Sequence, residues 1–428
     1  RSVTMPAIDR NFGTSSAIAG DMRYVGVFDG CTDLTLTITA GSLRRIDSRA
    51  FKNRSEISAL ILTGDFYIIN SAAFAGCSEL KSVTFDGNLD AIQLDAFRGC
   101  TALEKVVIGD HATSLGYTVF DECPAIKFLE IGSGLRYLEG LSFKGGDRLE
   151  SITVSKENQA FFSENNCLIE KETGTLLFGG KNSVIPDGVI VIASDAFRDR
   201  TDIEKLVIPD SVEVLGRCAF SGCTGIEEIV FSKNLKLIDE YALYGCTGLT
   251  SLELPDSLET VGISALSGCD GLTEIVFPKN LKTIAEDAFY RNPNLKKVTF
   301  GDELVRIGHN AFEGCTALQS ITIPGGVEVL DHYTFNECSS LREVIIEEGV
   351  TALNWYVFWG CTSLKVIHIP RSMQKFGEGA FMYCYELGSV YYGGSGDEWD
   401  AITREENWDY DLAANHSYRY TVYCELGV

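Results

Sequence analysis

Hydrophobic and polar residues recur along this chain with a period of 23 residues. The unit from Ala311 to Phe335 reads AFEGCTALQSITIPGGVEVLDHYTF, in which Leu318, Ile321 and Ile323 form an L-x-x-L-x-L core. The alternation around Ile321 and Ile323 has the period of a β-strand, which directs these two side chains to the buried face. A fixed period of this length indicates a repeat architecture, in which each unit stacks on its neighbours.

A cysteine marks the same position in most units and sets the register. The anchor positions are 31, 54, 77, 100, 123, 146, 200, 223, 246, 269, 292, 315, 338, 361 and 384. Eleven of these fifteen positions hold cysteine, and thirteen of the fifteen units have phenylalanine three residues earlier. The step from 146 to 200 fits one further degenerate unit with eight extra residues, so about sixteen turns are expected. Stacking converts the phenylalanines into one continuous core.

Several segments depart from the regular unit. Residues 1–27 lack the repeat and are expected to cap the first turn, and residues 393–428 are expected to form a C-terminal cap. Residues 155–183 interrupt the stack with a predicted hairpin, whose strands are Cys167–Glu170 and Thr175–Phe178. This hairpin either replaces the turn of one unit or projects as a binding element. In regular units, the A-F-x-G-C stretch predicts a single helical turn ended by its glycine.

The unit A-F-x-G-C-x-x-L-x-x-I-x-I-P resembles the BspA-like leucine-rich-repeat family of bacterial surface and secreted proteins, over residues 28–392. The interrupted segment Val154–Val189 and the tail Ser389–Ile402 are similar to that family's interrupted unit and C-terminal cap. The resemblance implies an α/β repeat protein, a right-handed leucine-rich-repeat solenoid with a parallel β-sheet on its concave face. It also implies a secreted or cell-surface location and adhesion to host proteins. Since the chain begins at Arg1, we expect a mature fragment that lacks its signal or anchor segment.

The charge balance excludes two classes of partner. The chain carries 60 acidic and 36 basic residues, for a formal net charge of −24. Such a surface repels nucleic-acid phosphates and anionic lipid headgroups. No run of 18 or more apolar residues exists, so no membrane insertion is expected. We therefore expect a monomer whose partner is neither a nucleic acid nor a membrane.

The sequence contains no recognisable catalytic or metal-binding arrangement. One cysteine per unit is the pattern of a packing position, although disulfides between neighbouring units, or between Cys218 and Cys223, are alternatives. His309 and His332 occupy equivalent positions in adjacent units and could meet at a metal, but the spacing fixes no carboxylate beside them. No hydrolase, zinc-protease or phosphate-loop motif is present. We predict no enzyme activity, no metal and no cofactor.

Two surfaces are therefore the candidate binding sites. One is the row of outward strand positions, which includes Val207, Val230, Glu253, Val276 and His368. The other is a late aromatic cluster on the turn side, which includes Tyr333, Trp355, Tyr356 and Trp359. The alternatives are that β-branched residues are simply favoured on strands, and that the C-terminal cap covers the aromatic residues. We predict a non-catalytic binding protein whose ligand is a host extracellular-matrix or mucosal protein. A glycan-binding module that uses the late aromatic residues is the alternative, and a spacer that lifts another domain is a third.

Overall fold

The computed structural model describes residues 2–5, 17–18, 32–39, 45–138, 148–409 and 420–425. These residues belong to two compact units, Arg1–Pro186 and Asp187–Val428. Together the units contain about 15 turns of parallel strands spaced 23 residues apart, close to the number expected from the sequence. Most of the predicted N-terminal cap, and the anchors at 31 and 146, lie outside the described residues.

The first unit contains two parallel sheets, to which most turns contribute one strand each. The strands of the larger sheet are Ser2–Met5, Leu34–Thr39, Ile57–Thr63, Ser82–Asp86, Lys105–Ile108, Phe128–Ile131 and Ser151–Val154. The strands of the smaller sheet are Ala17–Ile18, Arg45–Ile46, Phe66–Ile69, Leu89–Ile92, Ser114–Leu115 and Tyr137–Leu138. Equivalent residues of successive turns pair across each sheet, as Lys105 does with Phe128.

The interruption near the end of the first unit is a three-stranded antiparallel segment. Its strands are Phe161–Glu164, Cys167–Glu170 and Thr175–Gly179. Phe161, Leu168 and Phe178 are buried in the same hydrophobic core as the parallel strands. The insertion therefore packs into the core of its unit, where it stands in place of a regular turn.

The second unit repeats the same plan. Its longer series of strands is Lys205–Val207, Glu228–Val230, Glu274–Val276, Lys297–Thr299, Ser320–Ile323, Glu343–Ile346, Val366–Ile369, Ser389–Tyr392 and Thr421–Cys424. Its shorter series is Val191–Ile192, Val214–Leu215, Leu237–Ile238, Thr260–Val261, Thr283–Ile284, Arg306–Ile307, Val329–Leu330, Ala352–Leu353, Lys375–Phe376 and Thr403–Arg404. All strand pairings within each series are parallel.

The C-terminal residues continue both strand series. Thr403–Arg404 pairs with Lys375–Phe376, and Thr421–Cys424 pairs with Ser389–Tyr392. Before Thr403–Arg404, the helix Gly396–Ala401 begins after Ser395, which forms a reciprocal capping box with Glu398. The rings of Trp399 and Trp408 pack against Phe376, with centroids 5.8 and 5.2 Å away. The cap thus covers the apolar end of the last regular turn, which would otherwise face water.

Phenylalanine rings stack through the core of each unit, as the repeat predicts. In the second unit, Phe335 lies 5.5 Å from Phe312 and 5.6 Å from Phe358, and the rings are nearly parallel. Leu243 and Leu266 occupy the same position in two turns and are equally buried. These ladders bury a large apolar surface that no single turn could remove from water.

The predicted helical turn is wrong, because the A-F-x-G-C stretch forms two successive tight turns. In the turn around Phe312, the Glu313 amide donates to the Asn310 carbonyl and the Cys315 amide donates to the Phe312 carbonyl. Asn310 and Gly314 have φ of 53° and 73°, in the left-handed region. These two residues bracket the stretch and prevent a right-handed helix from continuing on either side. Within the described residues, the only α-helix is Gly396–Ala401.

Candidate functional site

The longer strands of the second unit present an apolar row on their outward face. Val207, Val230 and Val276 are 51%, 43% and 57% exposed, although the residue before each of them is buried. Val207 pairs in register with Val230, and Glu253 forms an isolated bridge with Val276. Strand alternation produces this arrangement, since successive side chains point to opposite faces. The structure therefore places four of the five predicted strand-face residues in four consecutive turns of the same outward face. We call Val207, Val230 and Val276 the valine row.

The fifth predicted residue, His368, belongs to an aromatic ladder farther along this face. The His368, Tyr391 and Tyr423 rings stack in order, with centroids 4.9 Å apart at both steps. His368 Nε2 also lies 3.7 Å from Glu343 Oε1. Tyr391 and Tyr423 are 41% and 47% exposed. The ladder exposes ring edges and hydroxyl groups, because the ring faces cover one another.

Tyr423 is a member of this surface that the repeat register does not reveal. It lies in the strand Thr421–Cys424, beyond the last cysteine anchor and out of step with the 23-residue period. Only the pairing of Tyr391 with Tyr423 shows that this strand extends the sheet. In the sequence, the β-branched and aromatic residues Thr421–Tyr423 are the one local signal of a strand.

The aromatic residues on the turn side form a second surface, which the structure divides into two groups. Tyr333 and Tyr356 stack at 5.2 Å, and His332 packs against Trp355 at 4.7 Å. Trp359 belongs to the other group, where its ring meets Tyr383 edge to face at 5.2 Å. The structure thus brings the predicted residues to one side of the unit, although it separates Trp359 from the Tyr333 and Tyr356 stack.

The C-terminal cap contacts this cluster through one carboxylate. Trp355 Nε1 donates a hydrogen bond to Glu405 Oε2 at 2.8 Å, and Lys375 Nζ lies 2.6 Å from Glu405 Oε1. The hydrogen bonds from Lys375 and Trp355 lower the pKa of Glu405. Trp355 nevertheless remains 48% exposed. The cap therefore orients Trp355 without covering it.

Tyr356 is held by two further contacts. Its hydroxyl donates to Glu378 Oε1 at 3.0 Å, and this hydrogen bond is the main reason that the pKa of Tyr356 is raised. A Cβ atom on Gly379 would collide with the Tyr356 ring, so the ring lies directly against the backbone there. Tyr333 covers the ring on another side. Much of the Tyr356 ring is thus already in contact with the protein itself.

The cysteine ladder serves packing. Each buried thiol at an anchor donates to a carbonyl of the preceding turn, as Cys315 Sγ does to Phe289 O at 3.4 Å. Burial raises the pKa of Cys223, Cys269 and Cys315 to about 12 in each case. A thiol held in its neutral form is a poor nucleophile and a poor metal ligand. The anchor cysteines among the described residues carry free thiols, in agreement with the packing interpretation.

Among the residues that the structure describes, His309 and His332 have no third metal ligand beside them. The rings of His309 and His332 lie 6.1 Å apart, and the Trp355 amide donates to Nδ1 of His332. Across the described parts of the chain, no group of three or more histidine, cysteine, aspartate or glutamate residues could hold a metal ion. Across the same residues, no helix combines the length and apolar character needed to cross a bilayer.

The repeat can be assigned to a known family. The sequence profile of the BspA type leucine rich repeat region matches in six copies, over residues 44–169, 181–296 and 259–388. These matches cover more than half of the chain, so the protein belongs to the BspA-type leucine-rich-repeat family. Comparison with curated proteins gives no match.

Several solved structures are similar to this chain. A leucine-rich repeat protein from Bacteroides ovatus is 20% identical, with 91% of this chain and 92% of that chain covered and a TM-score of 0.49. The pneumococcal vaccine antigen PcpA is 18% identical, with 92% and 90% covered and a TM-score of 0.48. A leucine rich cell surface protein from Faecalibacterium prausnitzii is 20% identical, with 94% and 90% covered and a TM-score of 0.33.

Proposed function

We propose that this chain is a non-catalytic, secreted or cell-surface protein that binds another protein through the outward face of its second unit. The observation that carries the proposal is the exposed valine row of Val207, Val230 and Val276. Water-exposed apolar rows on a regular scaffold are typical of interaction surfaces, and repeat scaffolds bind through the side chains that decorate them. The ligand class that we propose is a host extracellular-matrix or mucosal protein.

The location of this surface supports protein binding over catalysis. The side chains of the valine row are about half exposed to solvent, whereas catalytic groups need a site that excludes water. The aromatic ladder of His368, Tyr391 and Tyr423 lies on the same series of strands. Tyrosine edges and hydroxyl groups are common contacts at the centres of protein interfaces. The face therefore offers both apolar area and oriented polar groups to a folded ligand.

A binding assay with matched variants tests this proposal. The test variant replaces all three residues of the valine row with serine. The control replaces Val305 and Val329 with serine; their side chains are 58% and 40% exposed, Val329 lies in the shorter strand Val329–Leu330, and Val305 directly precedes the shorter strand Arg306–Ile307. Both variants are assayed by biolayer interferometry against purified matrix proteins and mucins. We expect the affinity of the test variant to fall at least about tenfold. Burial of the two methyl groups of one valine by the ligand contributes on the order of 1 kcal/mol to binding. The control variant should bind like the parent chain. Equal affinity of the test and control variants for every ligand would contradict the proposal.

Glycan binding by the turn-side aromatic cluster is the second candidate. Its supporting observation is Trp355, whose indole is 48% exposed and fixed by Glu405. Against it, Tyr333 and Tyr356 stack on each other, so the ring face that would contact a sugar is partly occupied. Glycan-array binding that is lost in both Trp355→Ala and Trp359→Ala would favour this candidate. Array binding that survives both substitutions, or no array binding at all, would leave the strand face as the binding surface.

A further inference from the structure

Charge is segregated along the outward face of the second unit. Each turn, starting with the one anchored at residue 200, has three outward positions in and just before its longer strand, at four, five and seven residues after the anchor. In the first four turns these positions carry five glutamates and one lysine, all exposed: Glu204, Lys205, Glu227, Glu228, Glu253 and Glu274. In the next four turns they carry four exposed basic residues and one glutamate: Lys296, Lys297, Arg342, Glu343 and Lys365. We call these sets the acidic half and the basic half.

The basic half departs from the character of the chain as a whole. The formal net charge of the protein is −24, so a run of four basic residues against one glutamate is not what its average composition predicts. The two halves adjoin, because Glu274 at the end of the acidic half pairs in register with Lys297 at the start of the basic half. Gln319, Ser320 and Thr322 form one uncharged turn within the basic half. The segregation therefore lies on one face of one unit, and its boundary falls between the turns of Glu274 and Lys297.

Each half combines its charge with a different apolar surface. The valine row lies within the acidic half, where Lys205 Nζ contacts Glu228 Oε1 at 2.6 Å and offsets one of its five carboxylates. The basic half contains exposed Ile345 and leads into the aromatic ladder that begins at His368. A ligand that covers the whole face would thus meet two apolar areas with opposite electrostatic surroundings.

The outer ends of the two halves are far enough apart to act separately. Six strand steps separate the turn of Val230 from that of His368, which is about 29 Å at about 4.8 Å per step. Screening at physiological ionic strength limits interactions between exposed charges to roughly 8 Å. A ligand therefore meets a negative field at one end of the face and a positive field at the other, and the two fields offset each other only near the boundary at Glu274 and Lys297.

From this polarity we propose that the face binds an elongated protein segment about 30 Å long that carries basic residues at one end and acidic residues at the other. The basic end lies over the valine row, and the acidic end lies over the basic half. Charge complementarity selects and orients this partner, whereas burial of the valine row and of Ile345 supplies most of the affinity. The inference rests on the proposed function, because it names the partner chemistry for the same face.

Synthetic peptides of matched composition test the inference. The first probe is a 21-residue helical peptide with a valine face, lysines in one half and glutamates in the other; such a helix is about 31 Å long. The second probe has the same residues with lysine and glutamate intermixed along its length. Binding to the whole chain is measured by fluorescence anisotropy at physiological ionic strength. We expect the segregated peptide to bind at least about tenfold more tightly than the intermixed peptide. Equal affinities would overturn the inference.

Orientation provides an independent measurement. A benzophenone group at the lysine end of the segregated peptide should crosslink to residues 204–276, and the same group at the glutamate end should crosslink to residues 296–368. The crosslinked sites are identified by mass spectrometry. Crosslinks in the opposite order, or spread over both halves from either end, would contradict the proposed orientation.

Charge reversal on the protein separates this inference from the proposed function. The double substitution Glu228→Lys and Glu274→Lys should weaken binding of the segregated peptide by about tenfold or more. The matched control is Glu286→Lys with Glu337→Lys, which makes the same change in net charge at exposed positions outside the strand face and should leave binding unchanged. If both pairs have the same effect while the valine-row variant still loses binding, the inference fails and the proposed function stands. If the valine-row variant also binds normally, both fail.

Discussion

Truncation of a single ring in the phenylalanine ladder should destabilise the second unit by an amount that the structure allows to be estimated. The Phe335 side chain is fully buried and stacks on rings at 5.5 and 5.6 Å on its two sides. Phe335→Ala therefore removes a large apolar group and leaves a cavity between two rings that the neighbouring turns hold in place. Such truncations cost about 3–5 kcal/mol, so we expect about 4 kcal/mol. Phe335→Leu should cost only about 2 kcal/mol, because leucine keeps most of the buried carbon atoms and is already accommodated at Leu243.

Equilibrium unfolding in urea measures both effects. All four tryptophans lie between Trp355 and Trp408, so their fluorescence reports on the turns that follow Phe335. Circular dichroism should be recorded in parallel, because repeat proteins can depart from two-state unfolding and noncoincident transitions would expose this. A loss of less than about 2 kcal/mol for Phe335→Ala, or equal losses for the alanine and leucine variants, would show that ring stacking contributes far less than the geometry indicates.

Three further predictions concern two exceptions within the repeat and one contact of the C-terminal cap. Arg200 occupies a cysteine position and is buried, and its guanidinium donates two hydrogen bonds to Asp202 at 2.7 and 2.8 Å. Asp202→Ala should lower the free energy of unfolding in urea by about 3 kcal/mol, because the substitution leaves a buried cation without its carboxylate. Asn292 also replaces a cysteine, and its buried Oδ1 has no hydrogen-bond partner among the described residues; Asn292→Cys should stabilise the unit by about 1 kcal/mol under reducing conditions, and a lower urea midpoint would contradict this. Glu405 has a lowered pKa in the folded chain, so its stabilising contribution is complete above the glutamate pKa of the unfolded chain and is lost as pH falls through the lower folded value. Trp355 fluorescence should therefore change over that acidic range, and Glu405→Gln should remove this transition; the same transition in Glu405→Gln would assign it to another group.

Local sequence patterns were sufficient for much of the architecture. The spacing of Leu318, Ile321 and Ile323 predicts a buried strand face, and the structure buries all three. The prediction succeeds because a repeat of constant length must place equivalent residues in equivalent environments. The prediction of a helical turn is wrong because left-handed conformations occur there at residues such as Cys218 and Tyr333, whose side chains do not favour a positive φ. Their conformations are imposed by hydrogen bonds to the next turn, such as that from the Tyr333 amide to the Trp355 carbonyl.

For the candidate surfaces, too, the sequence determined some features and the tertiary structure decided others. The sequence by itself determined the turn length, the buried ladders and the outward position of Val207, Val230 and Val276, because strand alternation within a fixed register needs only local information. Only the tertiary structure decided that Tyr423 extends the aromatic ladder and that Glu405 holds Trp355, fifty residues away along the chain. Both contacts come from the C-terminal cap, which lies outside the repeat period. The positions of its side chains depend on how it packs against the last turns, and no local pattern encodes that packing.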